Sequence, residues 1–210
     1  MSPRPAEALP EAFAVVATTR EVLDRPGLGP HLLAPWELRR LDAVRVPARR
    51  DDVLAARLLL RLCAARLTGR PLADAGPAQR CPGCGRDGHG RPYLPGDPGI
   101  GLSLSHADGV VAAAAGHGPV GVDVEPAARR PGPPRVLRGL LTEPEIREAE
   151  AAPDQGAALL RAWVRAEARF KAGPAAGRLR EWTDPARSAV AAIASAAPPS
   201  VLDGPLATTA

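Results

Sequence analysis

A mixed α/β (α+β) fold is what the sequence predicts, on three observations. Apolar residues recur at three- and four-residue steps across residues 35–68 and stop at Gly69, the pattern of one or two amphipathic helices. Three β-like runs, IGLSLSH, GVVAAAAG and PVGVDVE, follow one another over residues 100–125, separated by ADG and GHGP. A second helical pattern covers about residues 155–172 and is ended by Gly173 and Pro174.

The other elements follow in chain order. AFAVVATT, residues 12–19, reads as a short strand. Residues 71–99 are dense in turn formers and read as a loop. TEPEIREAEAA opens with Thr142 and Glu145 at capping-box spacing, with Pro144 in the first turn. EWTDPARSAVAAIAS reads as a last strand or helix, and residues 1–10 and 201–210 as loose termini.

Composition narrows the class. Hydrophobic residues are 45% of the chain but aromatics only 3%, so the core must be built from Ala, Val and Leu. No basic-then-apolar leader and no apolar run approaching roughly 18 residues is present, so a cytoplasmic protein without a membrane partner is expected. Three cysteines do not make a disulfide framework at this size. A net charge of +4 favours an acidic or phosphorylated partner.

Three motifs mislead. Gly83, Gly85 and Gly88 satisfy G-x-G-x-x-G, but no strand is expected before them and no helix after. GLSLS resembles a nucleophile elbow except that Ser105 stands where the closing glycine belongs. Cys81 and Cys84 form C-x-x-C with His89 nearby. The pair supplies at most half of a four-ligand zinc site, Cys63 lies in a predicted helix, and a plain reduced loop is the favoured reading over zinc.

Two other stretches carry more chemistry. In GVDVE the side chains alternate, so Asp123 and Glu125 share one face roughly 6.5–7 Å apart. That spacing suits Mg²⁺ with phosphate oxygens, and equally the polar face of a half-exposed strand. In WVRAEARFK, Trp163, Glu167 and Lys171 step by four along one side of a helix, with Leu159, Leu160, Ala166 and Phe170 supplying apolar contact. Lys171 is the only lysine among 27 basic residues: either the composition disfavours lysine, or the position needs a compact ammonium that a guanidinium cannot replace. Arg57 and Arg61 are helical neighbours, a pattern usual on solvated surfaces.

LSLSHADG, GVDVE and WVRAEARFKAGPAAG, in this order and spacing, resemble the single-chain, surfactin-type 4′-phosphopantetheinyl transferases. The helix around residues 49–61 and GRP at residues 90–92 resemble segments of the same family, so the likeness runs over about residues 35–177. The resemblance implies two similar lobes, residues 11–117 and 118–200, in pseudo-twofold arrangement with the active site between them. It implies transfer of phosphopantetheine from coenzyme A to a serine of an apo acyl or peptidyl carrier protein by a monomer. Asp123, Glu125 and Glu167 would hold Mg²⁺, or Mn²⁺ in its place. Arg49, Arg57, Arg91 and His106 would meet coenzyme A phosphates, with Pro92 and Ser105 beside them. Glu167 would take the serine proton, and Lys171 would stabilise the departing adenosine 3′,5′-bisphosphate.

One departure is that Ala166 stands where the family pattern W-x-x-K-E-A has lysine, and Arg165 points some 100° away. Two other classes remain in view: a metal-dependent phosphoanhydride hydrolase, and a basic nucleic-acid binding module with a zinc loop. The acids of GVDVE and the few aromatics argue against the second, and no nucleic-acid partner is expected.

Overall fold

The computed structural model describes residues 11–81, 83–132 and 137–203. Its elements run β1 (Ala12–Thr18), α1 (Thr19–Leu23), α2 (Pro35–Asp42), α3 (Pro47–Thr68), β2 (Ala78–Arg80), β3 (Arg91–Tyr93), β4 (Ile100–Ala107), β5 (Val110–His117) and β6 (Val120–Pro126). Then come α4 (Glu143–Glu150), α5 (Gln155–Ala172), β7 (Arg178–Asp184), β8 (Ala189–Ser195) and β9 (Pro199–Leu202). The mixed α+β class is as expected. Gly69 ends α3 in the left-handed region at φ 68°, which a residue without Cβ adopts at no steric cost. The capping box of α4 forms as read: Glu145 N–H donates to Thr142 Oγ1 at 3.4 Å, and Thr142 N–H to Glu145 Oε2 at 2.9 Å.

Three sequence readings need correction. Residues 71–99 contain a hairpin, β2 with β3, whose three-residue strands are too short to show a period. Residues 178–195 form two strands turned at Pro185, not one element. Val201 and Leu202 are not loose: they close β9, which runs parallel to β1 with Pro199 as its first residue, where a missing N–H is tolerated at an edge. Residues 1–10 and 204–210 lie outside the described residues.

The strands form a six-stranded sheet, β2-β3-β4-β5-β1-β9, and a three-stranded sheet, β6-β8-β7. Strand–helix–strand–strand occurs twice, as β1, α3, β4, β5 and as β6, α5, β7, β8, each time with the last strand in the middle. Alternation explains the layers. Phe13, Val15 and Ala17 of β1 join the core with α3, while Ala12, Ala14 and Val16 join one with Val122, Val124, Ala191 and Ile193 of the second sheet. Val190, Ala192 and Ala194 turn the other way, onto Leu160, Val164 and Ala168 of α5. The two sheets thus face each other with a helix outside each, and strands covered on both faces read as continuous apolar runs such as VVAAAA.

Two close approaches position the site. At Gly121 a Cβ would lie 2.1 Å from the Ala168 carbonyl oxygen, so β6 and α5 meet at backbone distance. Where β4 passes β6, Ser103 Oγ accepts the Val122 N–H at 3.0 Å, and a side chain at Gly101 would strike the Gly118 carbonyl oxygen at 2.0 Å.

Candidate active site

Because Val122 and Val124 fill the core between the sheets, Asp123 and Glu125 project from β6 toward α5. One helical turn of α5 brings Glu167 and Lys171 to the same place. Lys171 Nζ donates to Asp123 Oδ1 at 2.6 Å, to Ser105 Oγ at 3.1 Å and to the Val122 carbonyl at 3.1 Å. Ser105 in turn donates to Asp123 Oδ1 at 2.7 Å. Asp123 Oδ2 is buried with no partner.

Glu125 takes an ion pair from Arg129 at 2.7 Å, yet burial lifts its carboxyl above the ordinary range, against the pull of Arg129 and with help from Asp123. Glu167, half-buried, is lifted for the same first reason, with Lys171 opposing and Asp123 adding. The acids are neighbours, but their oxygens do not form a closed ligand cluster. Among the described residues the one group of three metal-ligating side chains within 4.8 Å is Cys81, Cys84 and His89. The orphaned Asp123 Oδ2 fits Mg²⁺, which needs only one or two carboxylates and fills its octahedron with water and phosphate oxygens.

A cleft of about 950 Å³ is lined by Thr18, Arg49, Asp52, His106, Asp108 and Arg129 among others; Asp123, Glu125, Glu167 and Lys171 do not line it, and Arg129, paired with Glu125, links the two. Arg49 stands in the first turn of α3, whose unpaired N–H groups favour an anion. Asp52 fixes the walls by accepting from the Thr19 hydroxyl and from Gly109 N–H at 3.3 Å. His106 is depressed by burial first; Asp52 opposes, and Arg49, Lys171 and Arg57 depress it further.

Residues 119–203 match the 4′-phosphopantetheinyl transferase superfamily. No curated protein matches the chain. The match supports this transferase family; it spans β6 to β9 with Asp123, Glu125, Glu167 and Lys171, and leaves Arg49, Arg57, Arg91, Ser105 and His106 outside. Among the described residues no helix is long and apolar enough to cross a membrane.

The remaining sequence candidates scatter. Arg57 does not line the large cleft. It pairs with buried Glu37 at 2.8 Å and lies 5.0 Å over the Trp36 ring, beside Pro92. Arg61 is likewise buried, 3.9 Å from Glu37 and donating to the carbonyls of Leu72 and Ala73, so this pair is a polar anchor and no solvated surface. Arg91 reaches from β3 to the Phe170 carbonyl at 3.4 Å and lines a second cleft of about 710 Å³ with Ala166, Arg169 and Phe170. Phe170 is 71% exposed and gives α5 no core contact. Arg165 is held by Glu181 at 2.6 Å and does not replace the lysine missing at Ala166.

Sequence reasoning missed Arg129, Asp52 and Asp108. The signal for Arg129 was its place four residues after Glu125.

His106 predicts a pH dependence. Its folded pKa is depressed below the ordinary 6.5, so the unfolded chain takes a proton first as pH falls; the stability it contributes is present above 6.5 and lost below. A phosphate bound beside His106 would reverse the preference by favouring imidazolium. The melting-temperature gain from adenosine 3′,5′-bisphosphate should therefore grow as pH drops from 7.5 to 5.5, and His106→Gln should flatten it. An equal gain at every pH for the unaltered protein would mean that no phosphate is held by His106.

Proposed function

We propose that this chain is a surfactin-type phosphopantetheinyl transferase that moves 4′-phosphopantetheine from coenzyme A to a serine of an apo acyl or peptidyl carrier protein. The observation that carries the reading is the buried, unpartnered Asp123 oxygen beside Lys171, with Ser105, which bonds both, followed on β4 by His106 of the cleft that Arg49 also lines. The duplicated strand–helix–strand–strand order supports two related lobes, residues 11–117 and 118–200. We place the protein in the cytoplasm as a monomer.

The carrier serine Oγ attacks the β-phosphorus of the pyrophosphate, and the bond to the outgoing adenosine 3′,5′-bisphosphate breaks in line. Glu167, more basic than an ordinary glutamate through burial, takes the serine proton directly or through water. Arg49 and His106 hold the 3′-phosphate at the N-terminus of α3. Mg²⁺ at Asp123, Glu125 and Glu167 would neutralise the pyrophosphate oxygens and orient them. Lys171, paired with Asp123 at 2.6 Å, offers positive charge to the leaving phosphate.

The test is incubation with coenzyme A, Mg²⁺ and an apo carrier protein. A carrier mass increase matching phosphopantetheine, with release of adenosine 3′,5′-bisphosphate, is expected. Free phosphopantetheine released without a carrier would point to a phosphoanhydride hydrolase instead.

A further inference from the structure

The G-x-G-x-x-G glycines that failed as a nucleotide loop have a different task. Between β2 and β3 the chain folds back twice: Gly85 N–H donates to the Cys81 carbonyl at 2.9 Å and Cys81 N–H to the Arg86 carbonyl at 3.0 Å. Gly88 N–H then donates to the Gln79 carbonyl at 2.9 Å. Gly85 at φ 68° and Gly88 at 84° turn the chain where side chains would be strained. At Gly90 a Cβ would lie 2.5 Å from the Arg80 carbonyl oxygen. The outcome is a compact surface knuckle that brings two free thiols and one imidazole toward one another.

Cys81, Cys84 and His89 each have a ligand atom within 4.8 Å of the other two, and Cys84 Sγ lies 3.2 Å from His89 Nε2. Zinc bonds of about 2.3 Å to sulfur and 2.0–2.1 Å to nitrogen place tetrahedral S and N ligands about 3.6 Å apart, so the pair is within a few tenths of an ångström of a coordination edge. The expected half of a zinc site thus gains a third ligand from five residues along the loop.

We propose that Cys81, Cys84 and His89 bind one Zn²⁺ ion, with solvent in the fourth position. Thiolates select a borderline-soft ion over Mg²⁺ or Ca²⁺, which take oxygen ligands, so this site is chemically separate from the acids around Asp123. No fourth cysteine, histidine or carboxylate joins the group among the described residues, and the loop lies at the surface, which leaves one coordination position to water. The ion clamps a hairpin whose three-residue strands are otherwise marginal. That hairpin carries Arg91 and Pro92, and its Gly88 carbonyl accepts from Arg40 of α2. The clamp is structural and does not depend on the transferase reading.

The experiment uses the full chain, purified under reducing conditions without a metal-affinity step, loaded with zinc and dialysed. Elemental analysis should give about one zinc per chain in the unaltered protein and less than about a tenth in Cys81→Ser/Cys84→Ser or His89→Ala. Co²⁺ in place of zinc should show thiolate charge-transfer absorption, which oxygen-ligated Co²⁺ at the acids lacks. Should the variants fail to fold, the unaltered protein still decides: zinc must protect the exposed Cys84 and the half-buried Cys81 from alkylation, and removing it with a chelator must restore their reactivity. Substoichiometric zinc, zinc retained by the double-cysteine variant, or thiols equally reactive with and without zinc would each overturn the proposal.

Discussion

Asp123→Ala is expected to abolish transfer while the protein stays folded. The side chain is 6% exposed, one of its oxygens is tied to Lys171 and Ser105, and the other has no partner. An unpaired buried acceptor is costly to keep, and on the proposed reading Mg²⁺ is the partner that would complete it. Losing the metal anchor should remove several kcal/mol of charge stabilisation, at about 1.36 kcal/mol per tenfold a loss of roughly a thousandfold or more in kcat. Lys171, left without its carboxylate, still reaches water, so melting should shift by only a few degrees. The checks are carrier mass and the melting-temperature gain from Mg²⁺ with coenzyme A, both of which should vanish in Asp123→Ala and in Glu167→Gln. Undiminished transfer by either variant would sink the metal assignment.

What the sequence revealed of this site depended on how local the information was. Capping at Thr142, the α5 stripe of Glu167 and Lys171, and the projection of Asp123 with Glu125 follow from spacing alone, since helices and strands have fixed periods. The two-residue turn of ADG, with Asp108 at φ 40° and Gly109 at 89°, was readable for the same reason. Arg57 was different. Its burial against Glu37 and Trp36 depends on how α2 folds back across α3, which no local pattern specifies. The parallel pairing of β9 with β1 joins residues far apart in the chain, and four residues are too few to carry a period. His89 was noticed beside the cysteines, but only the backbone turns at Gly85 and Gly88 bring its ring to Cys84.

The single lysine now has a geometric reason. From one nitrogen, Lys171 reaches three acceptors at 2.6 to 3.1 Å: a carboxylate on β6, a hydroxyl on β4 and the β6 backbone. An ammonium has three donors on one atom and meets that demand; a guanidinium spreads its donors over a plane and is longer. Lys171→Arg should therefore keep the charge but misplace it, and transfer should fall by a factor between tenfold and the 10² to 10³ typical of losing an aimed donor, the range expected for Lys171→Ala. Lys171→Ala also strands the Asp123 carboxylate, which sits almost out of water. Breaking a fully buried pair costs about 3–5 kcal/mol, and Lys171, 28% exposed, makes the loss here smaller, about 2 kcal/mol. In a chain of this size that lowers the melting temperature by roughly 4–8 °C. Lys171→Met combined with Asp123→Asn removes both charges and should regain most of that stability without regaining transfer. A double variant that recovers both would reduce Lys171 to a partner of Asp123, and near-normal turnover by Lys171→Arg would return its uniqueness to composition alone.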